Sequence, residues 1–295
     1  MAFQHINQVL GNENISITNT GTITATQVND LLGETSGTIT FVGSGNLAIT
    51  MTSGQTLDLS GITNSLSGNL TIEDSAGNEN ITGTSVNDTL TLSSGNDTVN
   101  LGDGSDVINT TIANLNTADN ISDTGTTGTD TLNITNSGTI DSANLIDVSG
   151  IEILNLSGGN DTITFDDTAE FNAFRDNFTD IIDAGGNDTL SFGSTAVTGD
   201  LDFSKLGEFE NLNLSSANDN LTISGDEPTN INGLDVLPKI KELYPNIPIY
   251  LISAFHSMED VIKNMKIDIN GFIPKPFDIH KIRDIVQREL EEGEK

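Results

Sequence analysis

Cysteine is absent from the 295-residue sequence, which rules out a disulfide, a zinc-thiolate centre and a thiol nucleophile and leaves either redox compartment open. Proline is missing from the first 227 residues: Pro228, Pro238, Pro245, Pro248, Pro274 and Pro276 are the full set, and both tyrosines, Tyr244 and Tyr250, lie beyond the same point. Basic residues are as scarce. Residues 1–225 carry 30 acidic side chains against Arg175 and Lys205 alone, a net charge of −28, whereas 226–295 carry 13 against 9. A polyanion is bound by a basic stripe that displaces its counterions, so nucleic acid is not an expected partner, and divalent cations are. No run approaches the ~18 apolar residues that span a bilayer, and the start, MAFQHINQVLGNEN, has neither a basic n-region nor an apolar h-region. Neither a membrane span nor a Sec signal is expected.

Two compositions therefore imply two domains, an acidic repeat segment over 1–225 and an α/β segment over 226–295. In the first, residues 78–108 repeat with a nine-residue step: Asn78-Glu79-Asn80-Ile81, Asn87-Asp88-Thr89-Leu90, Asn96-Asp97-Thr98-Val99 and Ser105-Asp106-Val107-Ile108. A corner rich in Gly, Asn and Asp followed by a short apolar-polar alternation predicts a parallel β-solenoid, each unit taken as one rung of one strand plus one corner. Ile81, Leu90, Val99 and Ile108 are expected to point inward. A longer repeat steps by 58: Asp130-Thr131-Leu132 recurs as Asp188-Thr189-Leu190, Ile151-Glu152 as Phe209-Glu210, Leu154-Asn155-Leu156 as Leu212-Asn213-Leu214, and Asn160-Asp161 as Asn218-Asp219. Between the copies, Phe171, Phe174, Phe178 and Ile182 at helical spacing predict an amphipathic helix capped by Asp167 or Thr168 and stopped at Gly185. Residues 1–77 use the same vocabulary and are expected to be strands, with Phe3, Ile6, Val9 and Leu10 as an apolar cap over the first rung.

The nonapeptides resemble the calcium-binding repeats-in-toxin family, whose unit reads G-G-x-G-x-D-x-U-x with U large and apolar. Gly102-Asp103-Gly104-Ser105-Asp106-Val107-Ile108 carries the second and fourth glycines, the aspartate and the apolar residue, with Leu101 at the first glycine; Gly95-Asn96-Asp97-Thr98-Val99 keeps the later half. The resemblance implies calcium held between stacked corners, with Asp88, Asp97, Asp103 and Asp106 as metal ligands, in a secreted or cell-surface protein. The alternative is a metal-free solenoid whose Asn and Asp side chains cap the corners; both readings stand at this point.

Residues 231–295 alternate amphipathic helices with the apolar strands IPIYLISAF and NGFIPKPF, an order that resembles the second half of a flavodoxin-like response-regulator receiver domain. Asn232 to Leu237, Leu251 to Ala254 and Gly271 to Phe277 carry the resemblance. It implies Ser253 as the switch hydroxyl, Lys275 as the lysine that contacts the acyl phosphate, Phe272 as the switch aromatic, and a cytoplasmic address. The family's first half, with its acidic pair and phosphoacceptor, is replaced by repeat sequence. Asp226 follows a strand-like segment, but Pro228 and Gly233 fall two and seven residues after it where the family has four and eight, so no phosphoacceptor is assigned.

His5, His256 and His280 are scattered and form no nucleophile-base-orienter set, so no enzyme is expected. The fold expected is mainly β, a parallel solenoid or β-roll followed by a partial α/β receiver unit. The function expected is a non-enzymatic structural or binding protein, a calcium-binding solenoid fused to a degenerate receiver half. Its alternatives are a phosphorelay protein acting through the receiver's output face and a recombination product without selected function. The receiver half, lacking neighbouring strands, is expected to pair Ile247–Ser253 with Asn220–Ser224, to self-associate or to contact a protein partner.

Overall fold

The computed structural model describes residues 11–18, 21–202, 206, 209–215, 217, 220–224, 241, 248–253, 269–274, 282–285 and 287–288. The chain divides into two compact units, Met1–Asp226 and Glu227–Lys295. It is mainly β, and every described ladder is parallel.

The first unit winds as a parallel solenoid. Its longest wall is an eight-stranded sheet made, in stacking order, of Gly21–Thr24, Leu47–Thr50, Leu70–Glu73, Asp88–Thr91, Val107–Thr110, Thr131–Ile134, Ile153–Leu156 and Asp180–Asp183. A five-stranded wall runs from Thr56–Asp58 through Asn80–Thr82, Thr98–Asn100 and Asn120–Ser122 to Val148–Ser149. A four-stranded wall stacks Thr139–Asp141, Thr162–Phe165, Thr189–Phe192 and Asn211–Asn213.

Stacking corrects the size of the rung. Ile81 sits on Val99 in one wall and Leu90 on Ile108 in another, so a residue stacks on the one eighteen positions later, not nine. One strand and one corner only carry the chain across to the opposite wall; a second pair brings it back. The nonapeptide is thus half a turn. The inward positions are as expected: Ile81, Leu90, Val99 and Ile108 are each at most 1% exposed. They continue columns of aliphatic side chains, Ile49, Ile72, Leu90, Ile108, Leu132 and Leu154, whose burial contributes about 1.5–3 kcal/mol per residue. Corners stack backbone on backbone. At Gly95 a Cβ would lie 1.4 Å from the Gly77 carbonyl oxygen, so only glycine fits.

The 58-residue repeat is also displaced in space. Leu132 and Leu154 belong to the eight-stranded wall, but their copies Leu190 and Leu212 belong to the four-stranded one. The step is two turns plus one wall.

Two helices bridge walls. Helix α1, Ala25–Glu34, lies where strands were expected, and its signal is a capping box: Thr24 Oγ1 accepts from Gln27 N while Gln27 Oε1 accepts from Thr24 N. It buries Ala25, Val28 and Leu31. Helix α2, Thr168–Asn177, is capped by Asp167, which accepts from Ala169 N and Glu170 N. Phe171 and Phe174 pack edge-on against Phe165 at centroid distances of 5.4 and 5.2 Å. The expected stop at Gly185 and the inward Ile182 are corrected: α2 ends before Phe178, and Asp180–Asp183 is a strand. Its ladder to Ile153–Leu156 satisfies backbone groups that a longer helix would otherwise bond internally, and strand alternation buries Ile181 while leaving Ile182 43% exposed.

Asn220–Ser224 pairs with Thr198–Asp202 within the first unit, and in the second unit Tyr250–Ser253 pairs with Gly271–Pro274. Asn270 steadies that second pair, its Oδ1 accepting from Ile249 N and its N donating to Ile249 O. The N-terminal cap residues Phe3, Ile6, Val9 and Leu10 lie outside the described residues.

Candidate metal centre

From Glu79 onward many corners of the solenoid place an acidic residue just before or at the start of the strand, and the stacking hands that carboxylate a backbone N–H from one turn earlier. Three ladders result. In the first, Gly54 N donates to Glu79 Oε1 at 2.7 Å, Glu79 N to Asp97 Oδ1 at 2.9 Å and Asp97 N to Asp119 Oδ1 at 2.9 Å. The second joins Asp88 N to Asp106 Oδ1 at 2.7 Å, Asp106 N to Asp130 Oδ1 at 2.7 Å and Asp130 N to Glu152 Oε2 at 2.8 Å. The third joins Gly138 N to Asp161 Oδ1 at 2.7 Å, Asp161 N to Asp188 Oδ1 at 2.6 Å and Asp188 N to Glu210 Oε2 at 2.7 Å. The 58-residue repeat preserves this chemistry, since Asp188 and Glu210 copy Asp130 and Glu152. Asparagines next to the acids staple in the other direction: Asn78 Oδ1 accepts from Asn96 N, Asn87 Oδ1 from Ser105 N and Asn160 Oδ1 from Asn187 N.

One oxygen of each acid that accepts along a ladder is thereby bonded, and on four of them the other is not. Glu79 Oε2, Asp97 Oδ2, Asp106 Oδ2 and Asp188 Oδ2 are buried without a hydrogen-bond partner, on side chains no more than 2% exposed. Beside them stand further acids with a buried open oxygen, Asp74 Oδ1, Asp123 Oδ2 and Asp183 Oδ1. Among the described residues three clusters form, Asp74 with Glu79 and Asp97, Asp106 with Asp123 and Asp130, and Asp161 with Asp183 and Asp188, in each of which one oxygen per residue lies within 4.8 Å of the others. Oxygen-only ligand sets of this kind suit hard divalent cations. Among the described residues no ion pair reaches them: Arg175, the one basic side chain described in this unit, pairs with Asp176 at 2.9 Å.

Burial drives the electrostatics. It pushes the Asp106 carboxyl up to about 8 and Asp97 up to about 7, against the N–H bonds from Asp88 and Glu79 that pull the other way. Repulsion adds to the rise, from Asp88, Asp130 and Asp123 at Asp106, and from Asp74 and Asp119 at Asp97. Asp74, Asp130 and Asp188 are raised to about 6, and Asp123 and Asp161 upward, all chiefly by burial.

Of the four residues singled out by the repeat, the structure places Asp97 in the first cluster and Asp106 in the second, and leaves Asp88 and Asp103 outside the clusters. Both oxygens of Asp88 are used by Thr84, whose N donates at 2.6 Å and whose Oγ1 lies 3.0 and 3.1 Å away. Burial outweighs those bonds and raises its carboxyl to about 6. Asp103 Oδ1 accepts from Thr126 N and Oγ1 at 2.7 and 3.1 Å, which holds it below the ordinary range. Both act as corner caps. Asp74 and Asp183 escaped the repeat because they stand five residues before Glu79 and Asp188, off the repeating position; that recurring offset was their signal.

In the second unit Ser253 ends one strand and pairs with Pro274, and Phe272 pairs with Leu251 on the other. Lys275 and Asp226 lie outside the described residues. Among the described residues no helix is long and apolar enough to cross a membrane.

No solved structure matches the chain. Curated relatives align with a short stretch: the DNA-binding transcriptional regulator NtrC of Bradyrhizobium sp. (strain RP501 Parasponia) is 36% identical over 61 residues, covering 21% of this chain and 13% of that protein. NtrC of Azospirillum brasilense is 34% identical over 59 residues, 20% of this chain and 12% of its own length. The chain thus spans about an eighth of these relatives. Residues 228–287 match the family model of the response regulator receiver domain.

Proposed function

We propose that this chain is a non-enzymatic structural or binding protein in which divalent cations, calcium foremost, hold the acidic solenoid together, while the receiver-type segment makes contact with a protein partner. The observation that carries the reading is the open, buried oxygen on Asp97 and Asp106, each already fixed in place by a ladder N–H. A carboxylate in that position is costly unless a proton or a cation completes it. Calcium fits because it takes six to eight oxygens in flexible geometry, and stacked corners offer carboxylates beside backbone carbonyls. The resemblance of the nonapeptides to repeats-in-toxin units points the same way. The test is thermal melting of the full chain in chelator and in millimolar calcium. We expect the melting temperature to rise in calcium by an amount that grows with its concentration. A curve unchanged between the two leaves a metal-free solenoid.

A second reading, phosphorelay signalling, is favoured by the match at 228–287. The matched relatives are named as DNA-binding regulators; the solenoid's charge makes nucleic acid a poor partner for this chain. The receiver-type segment favours a cytoplasmic address. Acetyl phosphate with magnesium is expected to leave the intact mass unchanged, since the receiver family's metal-holding acidic pair belongs to the half that repeat sequence replaces here. A gain of one phosphate, abolished by Asp226→Ala, decides for signalling.

A further inference from the structure

In the second unit Asn270, a side-chain amide, is followed by Gly271, a residue with no side chain to shield it, at the bend that leads into Gly271–Pro274. Asn270 is exposed to water, and its amide is held in place: Oδ1 accepts from Ile249 N at 3.0 Å while its backbone N donates to Ile249 O at 2.8 Å. Successive residues of a parallel strand turn their N–H groups to opposite sides, so Gly271 turns its own away from Tyr250–Ser253. Among the described residues no strand lies on that side. Packing fixes the glycine. A Cβ at 271 would lie 2.7 Å from Cε1 of Tyr250, a ring anchored at its far end by Arg288 Nη2, which donates to Oη at 2.5 Å. The seat of Tyr250 thus demands the one residue that leaves a preceding asparagine open to attack.

We infer that Asn270 is a self-modification site, converting in the folded protein through a cyclic imide with Gly271 N to aspartate and isoaspartate. Hydroxide takes the Gly271 amide proton and the nitrogen bonds to Asn270 Cγ. The Cγ–Nδ2 bond then breaks, and the departing nitrogen takes a proton from water and leaves as ammonia. Charge builds on Oδ1 in the intermediate, where the Ile249 N–H already points. Water next opens the ring at either carbonyl, and nothing is oxidised or reduced. Breaking the new N–Cγ bond leaves an ordinary aspartate that still accepts from Ile249 N. Breaking the original peptide bond routes the main chain through the side chain, inserts a methylene before Gly271–Pro274 and displaces the strand from its register. Asp103-Gly104, in the solenoid, shows the contrast: Gly104 N donates to Thr127 O at 3.0 Å and Asp103 Oδ1 is held by Thr126, so the nitrogen is engaged.

The test incubates the full-length chain at pH 8 and at pH 6.5 and digests it with trypsin afterwards; in the control, digestion comes first and incubation second. Cleavage releases residues 267–281 as one peptide, because Pro276 protects the bond after Lys275, and Asn270 is the one side-chain amide in it. We expect this peptide from the native chain to gain the mass of an amide-to-acid conversion, faster at pH 8. It is expected to split into two isomers, one of them a substrate for an isoaspartyl methyltransferase. Asn270→Gln, which keeps an amide but closes the larger ring poorly, is expected to stay unconverted. If the control converts while the peptide from the native chain stays intact, the fold protects Asn270 and the inference fails. It fails too if neither converts, or if the Gln variant gains the same mass. The comparison of native chain with control decides by itself should the Gln variant not melt cooperatively.

Discussion

Asp88 and Asp106 stand one rung apart in the same ladder and put their carboxylates to different uses: Thr84 saturates the first, and the second keeps an oxygen open. The difference governs how stability depends on pH. An aspartate titrates near 3.9 in the unfolded chain, and burial raises Asp74, Asp130 and Asp188 to about 6, Asp97 to about 7 and Asp106 to about 8 in the fold. The folded state thus holds protons more tightly. Its contribution is fully present below the unfolded value and is lost as pH rises through the folded values. In chelator, the melting temperature is expected to fall between pH 5 and pH 9. Calcium must displace those protons, so its stabilising effect is expected to be larger at pH 8 than at pH 5.5. A flat profile in chelator overturns the picture of buried, uncompensated acids. Asp97 and Asp106 were legible because they recur in step with the apolar residues. Asp74 and Asp183 were missed because they stand off the repeating position, marked only by their five-residue offset from Glu79 and Asp188, and Asp123 because it is the stacking of turns that brings it beside Asp106 and Asp130.

At the scale of elements, alternation and helical spacing compete for the same residues, and tertiary pairing decides. Leu90 and Ile182 test that outcome as a pair. Leu90 lies within the aliphatic column at 0% exposure, so Leu90→Ala is expected to cost about 2–5 kcal/mol in denaturant unfolding. Ile182→Ala, on the outer face of Asp180–Asp183, is expected to stay within about 0.5 kcal/mol of the parent. Equal losses at both positions are incompatible with the strand alternation described. The parallel strands and their inward residues were readable from period-two patterning in the nonapeptides. Helix α1 was not read, because GTITAT leads into it in the Thr-rich vocabulary of the strands around it; the Thr24 and Gln27 pair and the spacing of Ala25, Val28 and Leu31 mark it. The end of α2 was misread because Phe178 and Ile182 continue the helical spacing, while the ladder partner that claims Asp180–Asp183 lies some 27 residues back.

For the molecule as a whole, the half-turn nature of the nonapeptide imposes a parity rule on length. Because one unit crosses from wall to wall, an odd number of units gained or lost delivers everything downstream to the wrong wall, and an even number restores it. Two deletions pose the question cleanly. Removing residues 97–105 joins Asn96 to Asp106, and removing 88–105 joins Asn87 to Asp106; either junction reads as a normal Asn-Asp corner. The longer deletion removes one whole turn and leaves Val107–Thr110 to stack on Leu70–Glu73, the strand that Asp88–Thr91 covers in the parent. The shorter one moves Val107–Thr110 to the wall of Asn80–Thr82 and brings Asn120–Ser122 onto Asp88–Thr91, so that at the junction each strand meets a partner of different length. We expect the eighteen-residue deletion to melt cooperatively and the nine-residue deletion to lose its cooperative transition, although it discards half as much. The repeat that looks like a free unit of growth in the sequence is therefore only half of one, and the lengths open to this solenoid come in pairs.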